Sequence, residues 1–410
     1  MSKSLAVVVV DPISSGQYYG GEIQRSGYFS IALISVKKLS EAVRHLQKLN
    51  EFECIIYAEG VEEAVQALSR FNVRAVIPGS DIGTRLSDAL GTRFGLISNR
   101  LESSPVRFNK IELKKQLLAK GVAATKSWGI RLEKLDTDPC PQFEYPLVVK
   151  PAQGTGSRNV KICRNYSDLY AAVQAVQRNK EAQTEEERCA LVEQYLEGDE
   201  YFVVTANCGM SGYKRMLCFA IYEKLEVNGN PSIYKNIRSL PLDDKRGAVA
   251  FSCVSMVNDA IEFVWGVNDV ELKLGSDGPL IIEQNGRLPG ANVPRLIEVC
   301  SGVNCYRLSL DIYLGLPLGD TKSVAFSKHF CICCLICDAS GVVKDISGLD
   351  LVKSLESFYM MELYVSEGCF VEQTRDFLSS WGMVYLVHES RDVLTEDSES
   401  VHRFLKLNYD

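Results

Sequence analysis

The sequence predicts a multi-domain protein in which an α/β unit precedes a larger α+β region, and three observations carry that expectation. Up to about residue 105, apolar runs alternate with helical patterns. Further along, from about residue 190, the pattern changes to alternating segments joined by tight turns, as antiparallel strands require. Finally, 410 residues that are 46% hydrophobic and 24% charged can bury two or three cores.

In the first region Leu5–Val10, Tyr28–Ile34, Glu53–Tyr57 and Arg74–Ile77 read as strands. Ser40–Leu49, with Ser40 as N-cap, and Val61–Phe71 read as the helices between them. Such βαβ spacing implies a parallel sheet with right-handed crossovers. The loop Asp11–Gly16 follows the first strand at its carboxyl end, where such sheets bind ligands. Its small polar residues suit substrate contact and plain turn chemistry equally well. No GxGxxG follows, so a dinucleotide reading has no support.

Ser104-Pro105 marks a boundary, and Phe108–Lys120 reads as an amphipathic helix closed by Gly121. Spacing alone makes Lys110 a surface lysine. Tyr145–Pro151 is a strand in which Lys150 follows three apolar residues, a position that calls for an anionic partner. The glycine loop Gln153–Val160 either brings backbone N–H groups onto phosphates or is a hairpin turn, and it is not a P-loop. After a helix at Ser167–Val176, the polar run Asn179–Arg188 reads as a solvated loop or frayed helix end. Leu191–Val204 reads as strand, tight turn at Gly198, strand. Gly212–Leu240 reads as antiparallel strands around Asn228-Gly229-Asn230. Ala248–Val264 and Pro294–Leu314 read as helices. Strands at Phe330–Cys337, Val342–Ile346, Phe358–Val365 and Val384–His388 and a helix near Ser398–Leu407 complete the chain.

The chemistry concentrates in one hairpin. Val270–Leu274 and Ile281–Gly290 flank the turn run Gly275-Ser276-Asp277-Gly278-Pro279. Centred on Asp277, the register pairs Leu272 with Ile282 and Leu274 with Leu280 on an apolar face. Glu271 then lies opposite Glu283, with Asn285 two residues on. Like charges across a ladder repel, which makes sense if a divalent cation sits between them. Carboxylate and amide oxygens suit Mg²⁺, with Mn²⁺ as an alternative. Arg287 shares that face, where its planar fork can hold a carboxylate or phosphate. The competing reading is an exposed polar strand face on which Arg287 pairs with a glutamate.

Composition excludes several classes. A net charge of −7, with no long basic run, argues against nucleic acid as the main partner. The first apolar run is too short for a membrane span and shows no cleavage-site pattern, so a cytoplasmic location is the default. The 14 cysteines sit mostly in apolar runs, and Cys331, Cys333, Cys334 and Cys337 read as core packing, with Cys334 alone on its face. With 4 histidines, none next to a Cys or another His, a zinc hydrolase or a serine triad has no basis.

Taken in order, the lysine strand, the glycine loop, Glu193-x-Tyr195-Leu196-x-Gly198-x-Glu200 and Glu271…Glu283-x-Asn285-x-Arg287 resemble the ATP-grasp superfamily. The likeness covers about Phe108 to Leu316 and points to the carboxylate–amine ligases that join amino acids, with the biotin-carboxylase-like branch next. Asp338–Gly348 is similar to the cap of the amino-acid ligases. The resemblance implies an N-terminal α/β domain (1–105), an ATP-grasp domain (106–329, its small lid about 125–200) and a C-terminal cap (330–410). It also implies that ATP lies between two antiparallel sheets. Lys110 and Lys150 would contact phosphates and the adenine edge, and the loop with Gly154, Thr155, Gly156 and Ser157 would close over the β- and γ-phosphates. Glu193, with the backbone of Tyr195 and Leu196, would hold adenine, and Glu200 the ribose. Glu271, Glu283 and Asn285 would bind Mg²⁺, and Arg287 would steady the acyl phosphate or substrate carboxylate. Arg158 and the Asn179–Arg188 run depart from the family pattern.

The implied reaction is attack of a carboxylate on the γ-phosphate, then displacement of phosphate by an amine. The implied partners are therefore a small-molecule carboxylate and amine, with a homodimer left open. Two further readings stay open, a ligase acting on a protein carboxylate or terminus and a nucleotide-binding protein without turnover.

Overall fold

The computed structural model describes residues 3–36, 39, 41–135, 143–154, 156–179, 188–227, 230–275, 278–318 and 324–409. Its first sheet is parallel, in the order Cys54–Tyr57, Phe29–Ile34, Leu5–Val10, Asn72–Pro78. Val7, Val8, Val9 and Val10 are wholly buried because helices cover both faces, the condition under which a strand reads as continuous β-branched apolar sequence. The helix expected over Ser40–Leu49 is shorter, Glu41–Arg44, and Ser40 lies outside the described residues. Beyond it, i→i+3 bonds tighten the chain at Leu46 and Gln47, and the Leu46 carbonyl is taken by the Ser14 N–H at 2.8 Å. That contact binds the helix exit to the loop after the first strand.

The second sheet is antiparallel and eight-stranded. Its order is Gly278–Asn285, Trp265–Gly275, Glu200–Cys208, Tyr213–Val227, Asn230–Ser239, His329–Leu335, Gly382–His388, Phe358–Leu363. The last three strands come from the C-terminal region, so the boundary expected at 329/330 falls inside one continuous ladder, where Asn236 pairs with Cys333. In His329–Leu335 the cysteines alternate. Cys331 and Cys333 enter the C-terminal core with Cys337, and Cys334 enters the core on the other face. Among the described residues no cluster of His, Cys, Asp and Glu could hold a metal by itself.

A third, four-stranded sheet forms the lid: Ser127–Ile130, Ala190–Gln194, Leu147–Pro151, Lys161–Cys163. Helix Tyr166–Gln177, N-capped by Asn165, packs on it and closes a separate small core. Both strands expected in Leu191–Val204 form, as Ala190–Gln194 and Glu200–Cys208, but they belong to different sheets. Ala190–Gln194 pairs with Leu147–Pro151 in the lid, whereas Glu200–Cys208 lies between two strands of the large sheet. Each strand already has its ladder filled, so the two cannot pair with each other. Gly198 makes the crossing at φ +101°, and the chain there is the joint between the two sheets.

Two helices also differ from expectation. Pro294–Leu314 splits into Val293–Ser301 and Cys305–Leu314, because Gly302 turns left-handed at φ 78° and Asn304 caps the second helix on the Arg307 N–H. The helix expected from Phe108 begins at Lys110, since the Asn109 side chain accepts from the Ile111 and Glu112 N–H groups. Gly121 follows it at φ +71°, as expected. This helix buries Lys110 and Lys114 together with Leu113 and Leu117, so its inner face is charged as well as apolar.

Candidate active site

The three sheets converge on one cavity of about 310 Å³. The lid supplies its edge and glycine loop, the large sheet its floor, and the carboxyl ends of the parallel strands its far wall. At the lid edge Lys150 reaches Glu193 Oε2 at 2.7 Å, while Lys114 stands 3.2 Å from Glu193 Oε1 and Thr125 donates to the same oxygen at 2.8 Å. Burial alone would raise the Glu193 carboxyl, but the two ammonium groups outweigh it and hold the carboxyl down at about 2. Burial would likewise lower Lys150, and Glu193 overturns it, so this ammonium sits above the usual lysine range. For Lys114 burial wins, and its ammonium falls to about 8.

Glu193 is thus already engaged by two cations and a hydroxyl rather than turned freely toward an adenine amino group. At the joint, the Tyr195 N–H donates to Pro146 O at 3.2 Å and the Leu196 carbonyl accepts from Lys273 at 2.8 Å. The Tyr195 N–H is thus taken, while the Leu196 carbonyl keeps a second lone pair. Lys273 lies 5.4 Å from the centre of the Tyr195 ring.

Lys110 is not a surface lysine. Its ammonium donates to Gly154 O at 2.8 Å and stands 3.0 Å from Glu283 Oε1, so it ties the glycine loop to the acidic hairpin. In that loop Gly154, Gly156, Ser157 and Asn159 all have positive φ. Ser157 is held by the Tyr234 hydroxyl, 2.9 Å away. Thr155 lies outside the described residues.

The hairpin places Glu271 opposite Glu283 and Asp269 opposite Asn285. Beyond Glu271 its register differs from the simple expectation. A bulge between Glu271 and Leu272 pairs Leu272 with Ile281 and Leu274 with Pro279, and Asp277 lies outside the described residues. One extra residue flips the faces, so Ile281 is buried in the core and Ile282 lines the cavity.

The charge on this face is unbalanced. Burial raises the Glu271 carboxyl well above its ordinary value, and Glu283, Asp269 and Glu200 add to that. Burial also raises Asp269 to about 6 against the pull of Arg287, and its Oδ1 is buried with no hydrogen-bond partner among the described residues. The Tyr222 hydroxyl donates to Glu271 Oε1 at 3.2 Å, and Lys224 pairs with Glu200 at 2.7 Å. Turned with its nitrogen toward them, the Asn285 amide donates to Glu283 Oε1 and Asp81 Oδ1, both at 3.2 Å. Two carboxylates, an amide and an excess of buried negative charge fit a hard divalent cation whose remaining ligands are water and phosphate oxygens.

Arg287 stands on this face as expected, but its fork is occupied. It grips Asp81 with Nε and Nη2, both at 2.9 Å, and donates to Asp269 Oδ2 through Nη1 at 3.1 Å. Asp81, Asp269 and Lys224 were not singled out from sequence. Asp81 follows Asn72–Pro78 at a carboxyl end, so the rule that selected Asp11–Gly16 reaches it too. Asp269 shares a strand face with Glu271 by simple alternation. Lys224 gives no such signal, because a lysine in a long alternating strand reads as solvent-facing. Within the Asp11–Gly16 loop, Ile13, Ser14 and Ser15 line the cavity, whereas Asp11 turns inward to accept from the Ser35 N–H at 2.8 Å.

Residues 143–294 match the family model described as the ATP-grasp domain. The chain carries an ATP-grasp domain. Over 300 residues it is 26% identical to dapdiamide A synthase of Enterobacter agglomerans, a match spanning 72% of this chain and 70% of that one. Its fold is that of an L-amino acid ligase from Bacillus licheniformis, with a TM-score of 0.80, 17% identity and 100% of both chains covered. It is also similar to the biotin carboxylase domain of a Hydrogenobacter thermophilus 2-oxoglutarate carboxylase, solved with MgADP, at a TM-score of 0.67 and 16% identity over 99% of this chain and 91% of that one. In this chain, the family match takes in both the glycine loop and the acidic hairpin.

Proposed function

We propose that the protein is an ATP-dependent ligase that phosphorylates a small-molecule carboxylate and passes the acyl group to an amine, releasing ADP and phosphate. The observation that carries this reading is the acidic hairpin facing the glycine loop across one cavity, with Lys110 joined to both. Its support from relatives is the likeness to dapdiamide A synthase and to an L-amino acid ligase.

The chain's own residues divide the work by charge. Lys110 and the N–H groups of Gly154–Val160 bind the terminal phosphates and close over them. Lys150 and Lys114 leave a surplus positive charge beside Glu193 that suits an anion at the lid edge. Glu200, fixed by Lys224, suits the ribose hydroxyls. Glu271, Glu283 and Asn285 would hold Mg²⁺, which when bound offsets the repulsion between the attacking carboxylate and the phosphates. Arg287 steadies the new acyl phosphate only by exchanging Asp81 for it. Closure excludes water, which an acyl phosphate requires.

Hydroxylamine supplied in place of the amine should trap a hydroxamate from any carboxylate that works, with ADP and phosphate in equal amounts. AMP and pyrophosphate would contradict the reading. Nucleotide binding with no product across carboxylates and amines would favour a silent nucleotide binder, and turnover only with polypeptide acceptors would favour a protein ligase.

A further inference from the structure

Past the acidic hairpin the cavity continues to an end that no nucleotide or metal role uses. Three segments meet there: the loop at Ile13–Ser15, helix Glu41–Arg44 with its exit, and the 3₁₀ turn Phe377–Ser379. The Ser14 N–H bonds the Leu46 carbonyl at 2.8 Å, and the turn packs against the helix. From these segments Ile13, Val43, Leu46, Phe377 and Leu378 line the cavity, with Ser14 and Ser15 the polar exceptions. On the far wall Asp81 also lines the cavity, and it is spent on Arg287. A charged side chain lodged among these five apolar groups would lose water, whereas an apolar one would bury its surface.

The turn is rigid. Ser379 N–H donates to Asp376 Oδ1 at 2.9 Å, and Ser379 Oγ accepts from the Asp376 and Arg375 N–H groups at 2.9 and 2.8 Å. Its other side holds the glycine loop. The Phe377 N–H donates to Gly156 O at 3.3 Å, and Leu378 Cγ lies 2.7 Å from where a Cβ on residue 156 would sit. The Phe377 ring meets the Tyr234 ring edge-on at 5.2 Å.

We propose that this end of the cavity is a side-chain subsite that selects an apolar side chain on one of the two substrates, with Val43 and Leu378 determining its preference. The proposal rests on the ligase reading above. Because Leu378 also backs Gly156, filling the subsite holds the glycine loop over the nucleotide.

The test measures phosphate release with Mg²⁺ and ATP for every pairing of leucine, valine, aspartate and lysine. Pairs that lack leucine and valine should turn over at least about tenfold more slowly. Val43→Asp should lower kcat/KM for leucine by about tenfold or more while the nucleotide Kd stays within about twofold. Val43→Phe keeps the site apolar and folded, and should move the preference from leucine toward valine. Aspartate–lysine pairs that match leucine pairs, or a leucine-to-valine ratio unmoved by Val43→Phe, would overturn the proposal. Turnover without apolar preference counts against the subsite alone. Silence from every pair, with nucleotide still bound, counts against the ligase reading and the subsite together.

Discussion

At the lid edge, one carboxylate lies between two lysines: Glu193 is held down at about 2 by Lys114 and Lys150. On the hairpin, across the same cavity, carboxylates crowd together: Glu271 is pushed well above its ordinary value and Asp269 up to about 6. Both clusters are recessed, so burial acts on each in the same direction, and the neighbours decide the outcome. The first cluster keeps a surplus of positive charge and the second a surplus of negative charge. On the proposed reading, a nucleotide phosphate would complete one and a divalent cation the other. Two oppositely unbalanced clusters facing one cavity are what a metal–nucleotide complex needs.

The comparison breaks most severely at the hairpin. Glu283→Gln should lower Mg²⁺-dependent turnover at least about 100-fold, because the amide has neither the charge nor the lone pairs of a metal ligand. The fold should survive, since Lys110 keeps its bond to Gly154 O. Phosphate-release kinetics beside a thermal melt check both halves of that statement, and normal activity would remove the metal role.

At the lid edge the same type of change should act on stability instead. Glu193→Gln leaves two buried ammonium groups without their anion and should destabilise by about 3–5 kcal/mol, measured by urea unfolding. Lys150→Ala should also lower stability, although less, since Lys114 still neutralises Glu193. The anionic partner that the position of Lys150 calls for is thus supplied within the protein, by Glu193.

A smaller effect is expected in the loop between the clusters. Gly156→Ala places a side chain at φ +71° and against Leu378. Nucleotide affinity should fall by about tenfold, the scale of one to two kcal/mol of backbone strain, with the melting temperature nearly unchanged. Titration calorimetry with ADP and Mg²⁺ reads it directly.

The pH dependence of the lid sharpens the same comparison. A carboxyl depressed in the folded state contributes stability that is fully present above its unfolded value, near 4.5, and is lost as pH falls from there toward about 2. Urea midpoints in wild type should therefore drop over that window, and Glu193→Gln should flatten the acid limb. An unchanged limb would mean that Lys114 and Lys150 do not hold Glu193 as described.

Much of this was legible in sequence because it depends on local pattern. Strand alternation put Glu271, Glu283 and Asn285 on one face, and apolar runs marked the parallel sheet. What escaped depends on distant partners. Nothing local shows that the strands on either side of Gly198 belong to different sheets. The bulge after Glu271 moved Ile281 and Ile282 to opposite faces without any local mark. Lys110 looks like surface because its anion, Glu283, is far along the chain, and Arg287 looks free because Asp81 comes from the first sheet.

The most direct test is thermal stability of wild type and of the Glu271→Gln/Glu283→Gln double variant, each in EDTA and in Mg²⁺ with ADP. Ligand that binds only the folded state stabilises it by mass action. Wild type should gain clearly from Mg²⁺ with ADP over ADP in EDTA. The double variant, its acidic surplus removed, should melt above wild type in EDTA and gain little when Mg²⁺ is added. An equal gain in both proteins would show that the cation is not held by this hairpin and would contradict the account.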